Sequence, residues 1–292
     1  MKRTLRWLRN AFVGFVALFL VAALVVYIVS ERAAGQRYDD RGVQVVVPRD
    51  SASIHEGQRL ASIHGCRGCH GPQLAGRVFL DNALLARIVS PNLTIAAREY
   101  TDVELERIIR HGIRPDGRSV VLMPSGMFSV LDDADVGKII AYVRSVPPTV
   151  GNRREVHVGP LGRLGFALGK FQPVAVEARS ALALSRNYPT GREPLARGAY
   201  LARTACTECH GFDLRGGDRA PDLRIAAGYS RNDFTHLMRT GKALGNRELE
   251  MMSGVARRRF SQFTDAEIAM LHDYLLARAA SAVKPLPTRP RT

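Results

Sequence analysis

The sequence predicts an all-α protein, with one membrane-spanning helix at the N-terminus followed by two small helical domains in tandem. Three observations lead there. Residues Ala11 to Ser30, AFVGFVALFLVAALVVYIVS, hold no charged side chain, and twenty helical residues rise about 30 Å, the thickness of a bilayer's hydrocarbon core. The rest of the chain repeats itself: GQRLA at Gly57 returns as GAYLA at Gly198, CHGPQLAG as CHGFDLRG, and SPNLTI as APDLRI. Between these blocks lie helical apolar stripes or Gly- and Pro-rich turns, with no sustained strand alternation. A length of 292 residues suits about two domains of ~100 residues each.

Lys2, Arg3, Arg6 and Arg9 precede the apolar run, whereas Glu31, Arg32, Arg37, Asp39, Asp40 and Arg41 follow it. That bias puts the N-terminus inside and everything from residue 31 onward on the outer side. A cleaved signal peptide is the alternative, but its apolar region runs only ~7–15 residues and ends at a small-x-small site. Here a cut after Ala34 would put Arg32 at the −3 position, so a retained anchor is expected. The expected organisation is a basic stub and anchor at 1–31, a linker at 32–52, a first domain at 53–148, a connector at 149–192, and a second domain at 193–282. A disordered tail at 283–292 completes it. The connector's LGRLGFALGKFQPVAV is too apolar to stay solvated and is expected to pack on the domains. The alternative is a short amphipathic segment touching the membrane. A helix is expected from Asp133 to Val146, with its apolar stripe at 136, 139, 140, 143 and 146 and a stop at Pro147-Pro148. Thr264 and Glu267 form a capping-box pattern that opens the last helix, where Ile268, Leu271 and Leu275 share a face.

All four cysteines sit in two places, HGCRGCHG (His64 to Gly71) and TACTECHG (Thr204 to Gly211). Helical positions i, i+3 and i+4 share a face, so Cys66, Cys69 and His70 point together, as do Cys206, Cys209 and His210. Two thiols and an imidazole so placed suit a covalently attached haem, with thioethers to the vinyl groups and the imidazole beneath the iron. Three alternatives fit less well. Zinc knuckles normally lie ~15–20 residues apart, far closer than Cys69 and Cys206. A thioredoxin-like pair needs one motif in a βαβ setting, and structural disulfides need no trailing histidine.

The repeat also selects candidates for the iron's sixth position. Tyr100, Arg110 and Gly112 match Tyr229, Arg239 and Gly241 at an offset of 129, and the same offset puts Met123 on Met252. A thioether ligand favours reduced iron. Met127 falls on Ala256, and Met251 would need a gap to meet Met123. The alternatives are gap-filling core methionines or a second histidine. His111 and His236 are nearest, but they align with Thr240 and Arg107 and so do not recur. Beyond the methionines the offset becomes 132, with FSVLDDADV on FSQFTDAEI and Tyr142 on Tyr274.

Lys plus Arg number 42 against 27 Asp plus Glu, a formal charge of +15. That balance fits a generally basic surface, acidic protein partners, or anionic lipid headgroups. Nucleic acid is not expected, because no basic helix or aromatic-interleaved patch stands out.

The run CHG…PNLT…YTDVELERIIRHGIRPDGRSVVLMPSGMFSVLDDADVGKIIAYVRSVPP resembles a class I cytochrome c domain. The whole chain is similar to membrane-anchored dihaem c-type cytochromes of bacterial respiratory chains, over residues 53–148 and 193–280. The resemblance implies two covalently bound haem c groups on Cys66, Cys69, Cys206 and Cys209. His70 and His210 would be the proximal iron ligands, and Met123 and Met252 the distal ones. Met123-Pro124 follows the family's Met-Pro habit, whereas Met252-Ser253 departs from it. The resemblance also sets the carbonyls of Pro91 and Pro221 against the proximal imidazoles; ordinary loop prolines are the alternative. Electron transfer is implied, with no catalytic residue and no small-molecule substrate. Electrons would pass from a dehydrogenase or quinol-oxidising complex to a soluble cytochrome or oxidase, at the periplasmic side of the inner membrane. The alternatives are a dihaem peroxidase, which needs a releasable distal site that the duplicated methionine disfavours, and a haem-bearing subunit of a terminal oxidase.

Overall fold

The computed structural model describes residues 2–186, 188–191, 193–217 and 220–282; the expected tail at 283–292 lies outside the described residues. Helix α1, Lys2–Gly35, continues past the apolar run. It is long and apolar enough to cross a membrane, and none of its apolar window is covered by the rest of the protein. The chain then lies along the first domain, where Tyr38 and Val45 are buried and the Val43 amide donates to Glu106 Oε2 at 2.8 Å.

In the first domain, α2 (Ser51–Ile63) starts on Asp50, whose side chain accepts from the Ser53 amide. Then come α3 (Cys66–His70), β1 (Arg77–Asn82), β2 (Ala86–Ser90) and α4 (Leu93–Glu99). Helix α5 (Asp102–His111) opens with a Thr101/Glu104 capping box, and α6 (Ser125–Phe128) and α7 (Asp133–Ser145) close the domain. The connector supplies β3 (Glu155–Val158), α8 (Pro160–Ala167) and α9 (Val174–Ser185). The second domain repeats the plan with α10 (Pro194–Ala205), α11 (Thr207–His210), a 3-10 turn at Leu223–Gly228, and α12 (Arg231–Thr240). A small hairpin of β4 (Lys242–Ala243) and β5 (Arg247–Glu248) precedes α13 (Glu250–Arg258) and α14 (Asp265–Ala282). Thr264 and Glu267 form the expected capping box: Glu267 accepts from the Thr264 amide at 2.8 Å, and the Glu267 amide donates to Thr264 Oγ1 at 3.1 Å.

Strands appear where alternation gave no sign of them. β1, β2 and β3 form an antiparallel sheet, with Val78 opposite Val89 and Ile88 opposite Val156. β1 is mostly exposed and β3 comes from the connector, so no periodic stripe marks either one. The rest of the connector packs only in part: Val174, Ala175, Ala178 and Ala181 of α9 are buried, whereas Leu161, Leu164, Leu168 and Phe171 are exposed.

Each domain's core forms where its first and last helices cross. A Cβ on Gly57 would lie 1.9 Å from the Lys138 carbonyl, and one on Gly198 would lie 2.1 Å from that of Met270. The repeated glycine is therefore a backbone-to-backbone contact of α2 on α7 and of α10 on α14.

The same elements join the domains around an approximate two-fold axis. Arg59 of α2 reaches Glu267 of α14 at 2.7 and 3.0 Å. Their repeat counterparts are Tyr200 of α10 and Asp135 of α7, and Tyr200 Oη donates to Asp135 Oδ2 at 2.7 Å. Between these contacts His64 Nδ1 meets the Thr204 carbonyl at 2.9 Å, each residue lying two places before its first cysteine. Reciprocal contacts of this kind define an isologous interface.

Candidate haem sites

Gly65, at φ 77°, breaks the helix between α2 and the motif helix α3; in the second domain Cys206 keeps right-handed helical geometry and leads from α10 into α11. Burial pushes the Cys66 thiol up to about 11 and the Cys206 thiol up to about 12, with Arg259 pulling both the other way. The four cysteines form no disulfide. Among the described residues, no three His, Cys, Asp or Glu side chains are grouped so as to hold a metal ion.

The histidines make matching contacts. His70 Nδ1 lies 2.9 Å from the Pro91 carbonyl, and His210 Nδ1 lies 2.7 Å from that of Pro221. A carbonyl can only accept, so each Nδ1 carries the proton and each Nε2 keeps its lone pair. Burial lowers the pKa of both imidazoles, against the opposing effect of the proline carbonyls. A neutral imidazole with a free Nε2 is the form that binds iron, and the carbonyl bond sets its orientation and basicity.

Beside α3 opens a cavity of about 2040 Å³, larger than the 300–1,000 Å³ usual for small ligands. Cys66, Cys69, His70 and Pro91 line it, together with Leu105, Met123 and Phe128. Thiols, imidazole and thioether around one apolar space fit a porphyrin. The second domain also contributes to this wall, through Glu208, Met251, Val255, Arg258 and Arg259.

The remaining candidates sort as follows. Met123 and Met252 are half-buried, each packed on its own domain's core. Met123 lies in a loop before α6, whereas Met252 is in the first turn of α13. Met127 is fully buried in the core and Met251 is exposed. His111 lies 3.9 Å from Glu106, and His236 is exposed.

Two side chains escaped the sequence reading. Arg259, directly before Phe260, donates through Nε to the Ile63 carbonyl at 2.7 Å and through Nη1 to Glu208 at 2.9 Å. It thereby lies between the two cysteine motifs. His272, at the position of Ile140, is buried and stacks on Phe234 at 4.7 Å; neither ring nitrogen has a partner among the described residues. For His272 the available signal was a polar residue breaking an apolar match in the repeat.

Comparison with known proteins agrees with this arrangement. The family described as cytochrome c oxidase, cbb3-type, subunit III matches residues 52–143, and the cytochrome c family matches residues 195–278. The chain is a dihaem c-type cytochrome, built from two cytochrome c domains in tandem and carrying covalently bound haem c. It is 25% identical over 265 residues to the fructose dehydrogenase cytochrome subunit of Gluconobacter japonicus, which covers 79% of this chain and 53% of that one. It is 26% identical over 269 residues to the cytochrome c subunit of the quinone alcohol dehydrogenase of Gluconacetobacter polyoxogenes, and likewise to that of Komagataeibacter europaeus. In both cases the match covers 77% of this chain and 56% of the other. The chain thus spans about half the length of the curated relatives it matches.

Proposed function

We propose that this cytochrome relays electrons from a membrane dehydrogenase, or another quinol-oxidising complex, to a downstream cytochrome or terminal oxidase. Both haem domains would stand on the outer face of the inner membrane, anchored by α1. The observation that carries the reading is the matched pair of histidine-to-proline-carbonyl bonds behind the two cysteine motifs. Both domains hold an imidazole in the iron-binding tautomer. Cys66, Cys69, Cys206 and Cys209 would form the thioethers, His70 and His210 the proximal ligands, and Met123 and Met252 the distal ligands. Bound haem supplies a one-electron couple between ferric and ferrous iron. The chain's part would be to hold the iron through His70 with Met123 and His210 with Met252, and to surround it with apolar walls that disfavour the more charged ferric form.

A dehydrogenase donor is supported by the names of the relatives, cytochrome subunits of fructose and alcohol dehydrogenases. The outward orientation rests on the four cations before the span. The net charge of +15 suits an acidic partner, whose transfer rate falls as salt rises.

Reduced-haem spectra with stoichiometry should give two haems per chain. Met123→Ala and Met252→Ala should each lower one potential by more than about 59 mV, a tenfold change in a one-electron equilibrium. If neither variant altered ligation or potential, the distal assignment would be wrong. A high-spin ferric haem in the native protein, or efficient peroxide turnover, would favour the peroxidase alternative.

A further inference from the structure

We propose that α8 and the β1–β2 turn rest in the outer headgroup layer of the bilayer that α1 crosses, so that the first haem domain meets the membrane twice. This rests on the reading of α1 as a membrane anchor. Leu161, Leu164, Leu168 and Phe171 are 49%, 39%, 64% and 48% exposed, unusually open for a run of large apolar side chains. Leu161, Leu164 and Leu168 recur at helical spacing and share one face, while Gly162 is the buried residue of α8. The amides of Gly159 and Leu161 donate to the carbonyls of Leu85 and Leu84, each at 2.9 Å. That fastens α8 to the β1–β2 turn and adds the exposed Leu84 and Leu85 to the patch.

The level of the patch identifies its occupant. Arg163 of α8 donates to Ser30 Oγ at 2.9 Å and to Glu31 Oε1 at 2.6 Å, and its guanidinium lies 4.6 Å over the Tyr27 ring. Helix α8 is therefore level with residues 27–31, where the uncharged stretch ends and hydrocarbon gives way to headgroups. A short helix with leucines outward and cations such as exposed Lys170 beside them suits that boundary. An apolar patch continuous with the end of a span faces lipid by position. Strand β2 then runs from beside Leu85 to Ser90, which lines the cavity beside α3. Five strand residues cover about 16 Å, so the first haem would be the one close to the bilayer.

The four native cysteines are consumed by haem, so one introduced cysteine can carry a nitroxide. Full-length protein in phosphatidylcholine/phosphatidylglycerol nanodiscs would be labelled in turn at Leu18→Cys, Leu164→Cys, Leu168→Cys, Phe171→Cys and, as a water-facing reference, Ile225→Cys. Unchanged Soret spectra would certify each variant's fold. Collision with oxygen relative to a nickel chelate should be at least threefold higher at 164, 168 and 171 than at 225, approaching the value at 18. Lipid-like behaviour at 18 with water-like behaviour at 164, 168 and 171 would overturn the proposal and leave the patch to a protein partner. Water-like behaviour at 18 would overturn the anchor reading and this proposal together.

Discussion

On the first domain's side of the interface Arg59 meets a carboxylate, Glu267, that also caps α14; on the second domain's side Tyr200 meets Asp135. These four residues occupy equivalent places in the two repeats, yet one pairs a guanidinium with a carboxylate and the other a phenol, with Arg197 standing 3.8 Å from the same Asp135. The same divergence recurs nearby. Ile140 is aliphatic where His272 is an imidazole without partners among the described residues. The helix crossings did not diverge: both repeats keep the glycine at which backbone meets backbone. Duplication has therefore preserved the positions that set backbone approach and let the interface side chains drift. Only a side chain can be exchanged while its neighbours adjust.

The largest effect should come from the shared crossings. Gly57→Val and Gly198→Val each force a side chain into a carbonyl and should cost about 3 kcal/mol or more, the upper end of overpacking. Each should impair haem incorporation in its own domain, measured as haem per chain. If one were tolerated, the two crossings would not be equivalent.

Next comes acid sensitivity, which should belong to the first domain's half of the axis. Burial holds the His64 imidazole down to about 4; Arg259, Arg197 and Arg59 push the same way, and the Thr204 carbonyl opposes them. An unfolded histidine titrates near ~6.5. Stability from the neutral ring is therefore complete above that pH and is lost as pH falls toward 4. The loss should reach about 3 kcal/mol by pH ~4.5 and be flattened in His64→Gln, as read from denaturant midpoints. An unchanged pH slope in that variant would rule out His64 as the source.

The two arms of the interface should then separate. Glu267→Gln weakens a charged hydrogen bond and should cost about 2 kcal/mol, whereas Tyr200→Phe should cost about 1 kcal/mol. Equal losses would mean that the guanidinium and phenol contacts do the same work. Smallest of all, His272→Ile installs the residue used by the first domain and should raise stability by about 1 kcal/mol, because an unpaired buried polar group is removed. A lower melting temperature would show that the ring has a partner.

Much of the candidate site was legible because its parts are local or repeated. Cys66, Cys69 and His70 lie within one helical turn, and the capping box at Thr264 spans three residues. Met123 and Met252 emerged from the repeat offset alone. The prolines were reached only through family resemblance, since 21 residues separate His70 from Pro91 and 11 separate His210 from Pro221. The β1–β2–β3 sheet, Arg259 and the His64–Thr204 contact left no periodic trace.

From sequence alone came the apolar span, the duplication, the paired thiols with their histidines and the helical stripes, all patterns readable within a few turns of chain or by laying the chain on itself. Tertiary structure decided how the repeats face each other, which charges meet across the axis, and which apolar faces remain uncovered. Those outcomes depend on contacts between residues far apart in the chain, from 65 positions for Tyr200 and Asp135 to 208 for Arg59 and Glu267. Such contacts form through the summed fit of whole surfaces, and no short segment encodes that fit.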